Sequence, residues 1–291
     1  MVRSLPRDES AVSGWILFVA LVVAVAVVLG AYYVYFTPKA GPTPVVAQQG
    51  DSIHIDYIGT FLESDLVFDT SNASVARDNA SYPKASSFSW RATWTHLTFT
   101  IGDGSVIKGF DQGVRDLTAG QATTIVVPAS LGYGNADPSK IFVHKLLESV
   151  PVRVTMNETA FIAYYKTPPV TGAQATDPVY GWPVTVDVLN GIVTVTNSPV
   201  PRQTVHPYGA WTATVLGIDD TANNGTGAVW IQNRLDPGQV DLVGGTAPNG
   251  QQFYLSTVDL NAETYTLNFN RQVVGRTLEF QITVVQVNRL T

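Results

Sequence analysis

Cysteine is absent from the 291 residues, so disulfides, thiol nucleophiles and a cysteine-ligated zinc are all excluded. Charge is sparse. Asp, Glu, Lys and Arg make up 14% of the chain, and the net charge is −6. A nucleic-acid partner calls for a basic stripe, and this acidic chain has none, so no nucleic acid is expected to bind. No Gly-x-Ser-x-Gly elbow or other nucleophile pattern occurs. The glycine turn "GDGS" at 102–105 lacks the Gly-Lys-[Ser/Thr] of a phosphate loop. His54, His96, His144 and His206 are scattered without metal-ligand spacing, so neither a metal nor a cofactor is expected.

Charge is missing altogether from 13–36, "SGWILFVALVVAVAVVLGAYYVYF". A stretch of that length and apolarity spans a bilayer as a helix. Trp15 at one end and Tyr32, Tyr33 and Tyr35 at the other fit an aromatic belt. No polar face is present, which counts against a helix of a soluble domain. A cleavable signal peptide has a shorter apolar core and a small-residue cleavage site, so the segment reads as an uncleaved anchor. Arg3 and Arg7 precede it and only Lys39 closely follows. By the positive-inside rule, residues 1–12 are then cytoplasmic and the bulk of the chain lies outside the cell membrane. Asn72, Asn79, Asn157 and Asn224 each open an Asn-x-[Ser/Thr] triplet on that outer side.

Proline and glycine punctuate a linker, "TPKAGPTPVVAQQG", at 37–50. Beyond it strand patterns dominate. "SIHIDYIG" places Ile53, Ile55 and Tyr57 on one face, "YTLNFN" aligns Tyr265, Leu267 and Phe269, and "LEFQITVVQV" aligns Leu278, Phe280, Ile282 and Val284. Ile107, Phe110, Val114 and Leu117 recur at helical spacing and predict the one amphipathic helix outside the membrane. "YGWPVTVDVLNGIVTVTNSPVPRQTV" at 180–205 is echoed by "YGAWTATVLGIDDTANNGTGAVWIQNRLDPGQV" at 208–240. Each copy has Tyr-Gly, a Trp, an alternating strand, a polar turn and a second strand. That predicts a duplicated β-hairpin, turning near Asn190-Gly191 and then near 223–227. Two copies are too few for a solenoid. Trp182 and Trp211 are expected to form a small core between the two hairpins.

Three stretches fall into register: "DYIGTFLESDLVFDTS" at 56–71, "LTFTIGDGSVIKGFDQGVRDLTAGQATTIVVPASLGYGNADP" at 97–138, and "LNFNRQVVGRTLEFQITVVQV" at 267–287. Together they resemble FKBP-type peptidyl-prolyl cis-trans isomerases over about half of the chain. More than a hundred residues separate Tyr133 from the third stretch. That spacing is similar to the SlyD-like branch, whose flap carries an inserted chaperone domain. The resemblance implies an α+β, mostly β fold, with an antiparallel sheet wrapped on a short helix. Its first part would span 51–150 and its closing strands 257–291, with a β-rich inserted domain at 151–256.

The resemblance also implies a pocket. Tyr57, Phe68, Asp69, Val106, Ile107, Phe110, Tyr133 and Phe280 would be its catalytic residues, with Leu97 and Phe99 binding substrate. Phe110 would floor a groove on which the proline ring sits, and the Ile107 N–H and Tyr133 hydroxyl would hold the carbonyl. Asp69 would orient Tyr57 or meet the carbonyl carbon electrostatically. Many relatives carry Trp at the position of Phe110 and an aromatic at Leu97, which puts tight macrolide binding in doubt. Arg271 stands where SlyD-like relatives usually have His. The loop at 70–96, with Trp90 and Trp94, would rim the groove or pack down. The implied function is prolyl isomerisation and chaperoning of unfolded or proline-containing polypeptides outside the membrane. The alternative is a membrane-tethered holdase with little or no isomerase activity.

Overall fold

A computed structural model describes residues 9–36 and 44–289. Helix α1 (Glu9–Phe36) forms one unit. Within it Phe18–Phe36 is long and apolar enough to cross a membrane, a property shared by signal sequences near an N-terminus. Arg3, Arg7, Lys39 and residues 37–43 of the expected linker lie outside the described residues.

Val45–Thr291 is the second compact unit. Its first sheet uses β1 (Ser52–Phe61), β2 (Val67–Thr70), β3 (Leu97–Thr100), β4 (Ala122–Val127) and the last strand of the chain, β17 (Leu278–Asn288). The order is β2-β1-β17-β4, with β3 also on β1. Period-two patterning decides which face is buried. Ile53, Ile55 and Tyr57 turn into the core of this sheet, opposite the half-exposed His54, Asp56 and Ile58. Helix α2 (Ala73–Arg77) is capped by the Asn72 side chain. Helix α3 (Lys108–Gly113) packs on β4. It is only six residues long, and Val114 and Leu117 are buried in the turns that follow rather than along a helix.

Between β4 and β17 stand three four-stranded sheets. The chain first runs outward through β5 (Ile141–Lys145), β6 (Leu147–Val150) and β7 (Arg153–Asn157), then through helix α4 (Glu158–Tyr165). It returns as three units of a short strand plus a hairpin. These are β8 (Gln174–Thr176), β9 (Pro183–Leu189) and β10 (Ile192–Asn197); β11 (Thr204–Val205), β12 (Ala213–Asp219) and β13 (Ala228–Asn233); and β14 (Gly244–Thr246), β15 (Gln252–Asp259) and β16 (Thr264–Asn268). Outgoing strands complete the sheets in reverse order: β7 on β10, β6 on β13, β5 on β16.

The expected pair of hairpins is therefore a set of three. Each unit opens on a residue with positive φ: Gly172 (81°), Arg202 (68°) and Asp241 (65°). Their N–H groups donate to the carbonyls of Val186, Val215 and Leu255 at 2.8, 2.8 and 2.9 Å. The third copy escaped the sequence comparison because it lacks both Tyr-Gly and Trp. For the same reason "YTLNFN" is not a closing strand of the first sheet. β16 pairs with β15 and β5, and a boundary at 256/257 would cut through β15.

Both tryptophans are core residues, but not of one shared core. Trp182 is fully buried among the first and second hairpins, with Val184, Val195, Val215 and Ile231. Trp211 packs with Phe253, Leu255 and Tyr265 of the third. Each indole N–H donates to the Asn that ends its own hairpin: Trp182 to Asn197 and Trp211 to Asn233, both at 2.8 Å. Those amides donate in turn to the outgoing chain, at the Pro151 and Leu146 carbonyls. A buried Trp keeps its N–H only where a partner exists, and these Asn residues provide one at each junction.

Candidate functional site

The first sheet and α3 bring most of the expected pocket residues into one aromatic cluster. Phe110 meets Phe280, Phe99 and Tyr57 with ring centroids 5.0, 6.0 and 6.2 Å apart, and Phe68 meets Phe280 edge-on at 5.7 Å. Such tilted and edge-on pairs are the favoured geometry for aromatic quadrupoles. Leu97, Val106 and Ile107 pack against this cluster while remaining partly exposed. Gly59 on β1 permits the close approach. A Cβ there would lie 2.8 Å from the Phe68 ring and 3.1 Å from that of Phe280.

Phe110 lies deeper than an open groove floor. Its side is closed by Tyr57, Phe99 and Phe280, leaving it 2% exposed. The accessible surface above it belongs to Val106 and Ile107. Ile107 caps α3, and its N–H makes no hydrogen bond among the described residues. Tyr133, 38% exposed, likewise leaves its hydroxyl unpaired.

Tyr57 donates to Asp69 Oδ2 at 2.6 Å. Burial, and then the Asp69 charge, raise the Tyr57 pKa well above the usual phenol value, so its proton is retained. Asp69 does not stand alone. Arg91 forms an ion pair with its other oxygen and also donates to the Thr70 carbonyl at 3.3 Å. Sequence reasoning missed Arg91, which lies in an aperiodic loop whose only visible signal was its aromatic content.

That loop meets the third hairpin unit across a cleft of about 970 Å³. Phe68, Asp69, Arg91, Tyr133 and Arg271 line the cleft, together with Phe88 and residues 244–246 and 250–252. Trp90 and Trp94 are not among the lining residues. Trp90 meets Phe88 edge-on at 5.7 Å, and Trp94 stacks on it at 6.2 Å. The third unit is clamped to the first sheet through Asp241. Its side chain pairs with Arg276 at 2.7 Å and accepts from Gln272 Nε2 at 3.0 Å, while its carbonyl accepts from the Ser86 N–H at 2.8 Å. Both Asp241 and Arg276 are mostly buried, with side chains 5% and 15% exposed. No periodicity marks these residues, and only the fold brings them together.

Among the described residues no group of His, Asp and Glu has metal-binding geometry. The four Asn-x-[Ser/Thr] asparagines are all exposed.

Comparison with known proteins places this pocket in a family context. The sequence model of the FKBP-type peptidyl-prolyl cis-trans isomerase family matches residues 43–148. FK506-binding protein 2 of Gibberella zeae is 34% identical over 30% of this chain and 35% of its own length. The peptidyl-prolyl cis-trans isomerase FPR2 of Saccharomyces cerevisiae is 34% identical over 31% of this chain and 53% of its own. The short-type peptidyl-prolyl cis-trans isomerase of Methanocaldococcus jannaschii is 30% identical over 36% and 57%. The chain thus spans between about a third and a little over half of these relatives. The matched stretch is similar to the FKBP-type domain and holds the first four strands of the first sheet. β17 and Phe280, which complete its sheet, fall beyond 148.

Proposed function

We propose that this protein is a peptidyl-prolyl cis-trans isomerase anchored in the cell membrane by α1. Its FKBP-type domain would face the extracytoplasmic side and act on unfolded or proline-containing polypeptides. The observation that carries this reading is the combination at the pocket: an aromatic cluster whose rim holds two polar donors, the Ile107 N–H and the Tyr133 hydroxyl, without protein partners.

That combination suits prolyl rotation. The barrier, roughly 18–20 kcal/mol, comes from amide resonance, so no nucleophile or metal is required. An apolar surface disfavours the planar, dipolar amide, and a fixed donor can hold the carbonyl as the C–N bond twists. Val106 and Ile107 supply the apolar surface, with the buried Phe110 ring packed against them. Tyr57, kept protonated and locked onto Asp69, fixes the wall behind it. The three hairpin units occupy the position in the sequence where SlyD-like proteins carry their inserted domain, and we assign them the holding of clients near the pocket.

The test is acceleration of cis-to-trans conversion of an Xaa-Pro peptide by the full chain in detergent. Activity is expected, and Tyr133→Phe is expected to lower kcat/KM by about threefold, in line with loss of one hydrogen bond. Protease added to spheroplasts should digest Val45–Thr291 from outside. Protection of that part would overturn the orientation.

A further inference from the structure

The cleft holds three charged side chains with unequal standing. Asp69 and Arg91 neutralise one another through their ion pair. Arg271 has no carboxylate partner among the described residues. Its guanidinium instead sits 5.1 Å from the centroid of the Tyr133 ring. A guanidinium held over an aromatic face keeps its five N–H donors in its own plane, free at the edge for a planar anion. The other lining groups are Ser, Gly, Thr, Gln, Asn, Val273 and aromatic residues, none of which supplies negative charge. In a chain of net charge −6 the cleft therefore presents one uncompensated positive charge.

Position makes this charge relevant to substrate choice. Arg271 follows Asn270, whose side chain is fixed by the Asp137 backbone on both sides, donating to its carbonyl and accepting from its N–H at 3.0 Å each. Two residues on, Gln272 is held by Asp241 and by Ser86 and Ser87. The backbone bearing Arg271 is thus anchored on each flank, and only its side chain is free to meet a ligand. A peptide whose prolyl carbonyl reached Tyr133 would carry its neighbouring side chains to within about one residue length of the guanidinium.

Building on the isomerase reading, we infer that Arg271 is a specificity residue that selects clients with a carboxylate, Asp or Glu, next to the reacting proline. The decisive measurement is kcat/KM of the full chain in detergent on peptides with Glu, Ala or Lys immediately before the proline, and on a second set with the same residues immediately after it. In one of the two sets, Glu should exceed Ala by about two- to fivefold and Lys should fall below Ala, as for an exposed ion pair. The preference should shrink in 0.5 M salt, where the screening length is only a few ångströms, on the order of 4 Å. Arg271→Gln should abolish the ratio while retaining turnover of the Ala peptide. Arg271→Glu should invert it, and Arg271→Lys should retain most of it. A merely structural Arg271 would lower all peptides together and leave the ratio intact. Equal rates for Glu, Ala and Lys in both sets would overturn the inference while leaving the isomerase reading standing. No acceleration of any peptide would overturn the isomerase reading and this inference with it.

Discussion

The aromatic pocket of the first sheet and the Trp junctions of the hairpin units are both built from buried aromatic rings, yet they treat polar groups in opposite ways. At the junctions every indole N–H meets an Asn, and every such Asn reaches the outgoing chain. At the pocket the Ile107 N–H and the Tyr133 hydroxyl have no hydrogen-bond partner among the described residues, while the back wall, Tyr57–Asp69–Arg91, is bonded together. Satisfied polar groups fix a core, whereas unsatisfied ones at a rim are available to a ligand. On the isomerase reading, the contrast separates the part that shapes the molecule from the part that would meet a substrate.

If that separation holds, the junctions can be damaged without touching the chemistry. Trp182→Ala should cost about 3–5 kcal/mol of stability, since it opens a large cavity and strands the Asn197 amide. A urea melt should register that loss, with tetrapeptide isomerisation unchanged below the new midpoint. Asp241→Ala probes the boundary between the two regions. It leaves Arg276 buried beside Phe61 with only the exposed Glu63, so a loss of about 3 kcal/mol is expected. Because Asp241 also holds the third unit against the cleft, KM should rise here, unlike for Trp182→Ala.

Within the pocket the effects should be smaller on stability and visible in rate. Tyr57→Phe removes the hydroxyl bonded to Asp69 while Arg91 still neutralises that carboxylate. A drop of about fivefold in kcat/KM, near 1 kcal/mol, is expected with little change in melting temperature. The smallest effect is that of pH. Burial and Asp69 raise the Tyr57 pKa, so its protonated form persists, and its contribution is lost only as pH rises through the folded value. In a Tyr133→Phe variant, where the other pocket phenol is removed, activity should therefore stay flat from roughly pH 7 to 10, across the range where an ordinary phenol begins to titrate. A fall centred near 10 would mean that Tyr57 is neither buried nor bonded in solution.

The sheet strands carrying Tyr57 and Phe280 were legible because their alternation reports one buried face. Phe110 was legible because its motif crowds apolar residues against a glycine turn. The third hairpin was not, since Tyr-Gly and Trp are missing there and Phe253 fills its core instead. Arg91, Asp241, Gln272 and Arg276 were invisible for a different reason. The hydrogen-bond partners of their side chains lie between 21 and 213 residues away, and such pairings leave no local periodicity. Helix α3 was overextended because Val114 and Leu117 keep helical spacing while the chain turns away at Gly113.

The account rests most directly on Phe110. The measurement is kcat/KM for an Xaa-Pro peptide with the full chain and with Phe110→Ala, alongside the melting curve of each. Removing the buried Phe110 ring withdraws the support beneath Val106 and Ile107, and a loss of about 1.5–3 kcal/mol of apolar packing should lower the rate constant about tenfold to a hundredfold while the variant still melts cooperatively, at a lower temperature. A wild-type chain no faster than the uncatalysed reaction, or a folded Phe110→Ala variant as fast as wild type, would contradict the claim that this aromatic cluster is the site of prolyl isomerisation.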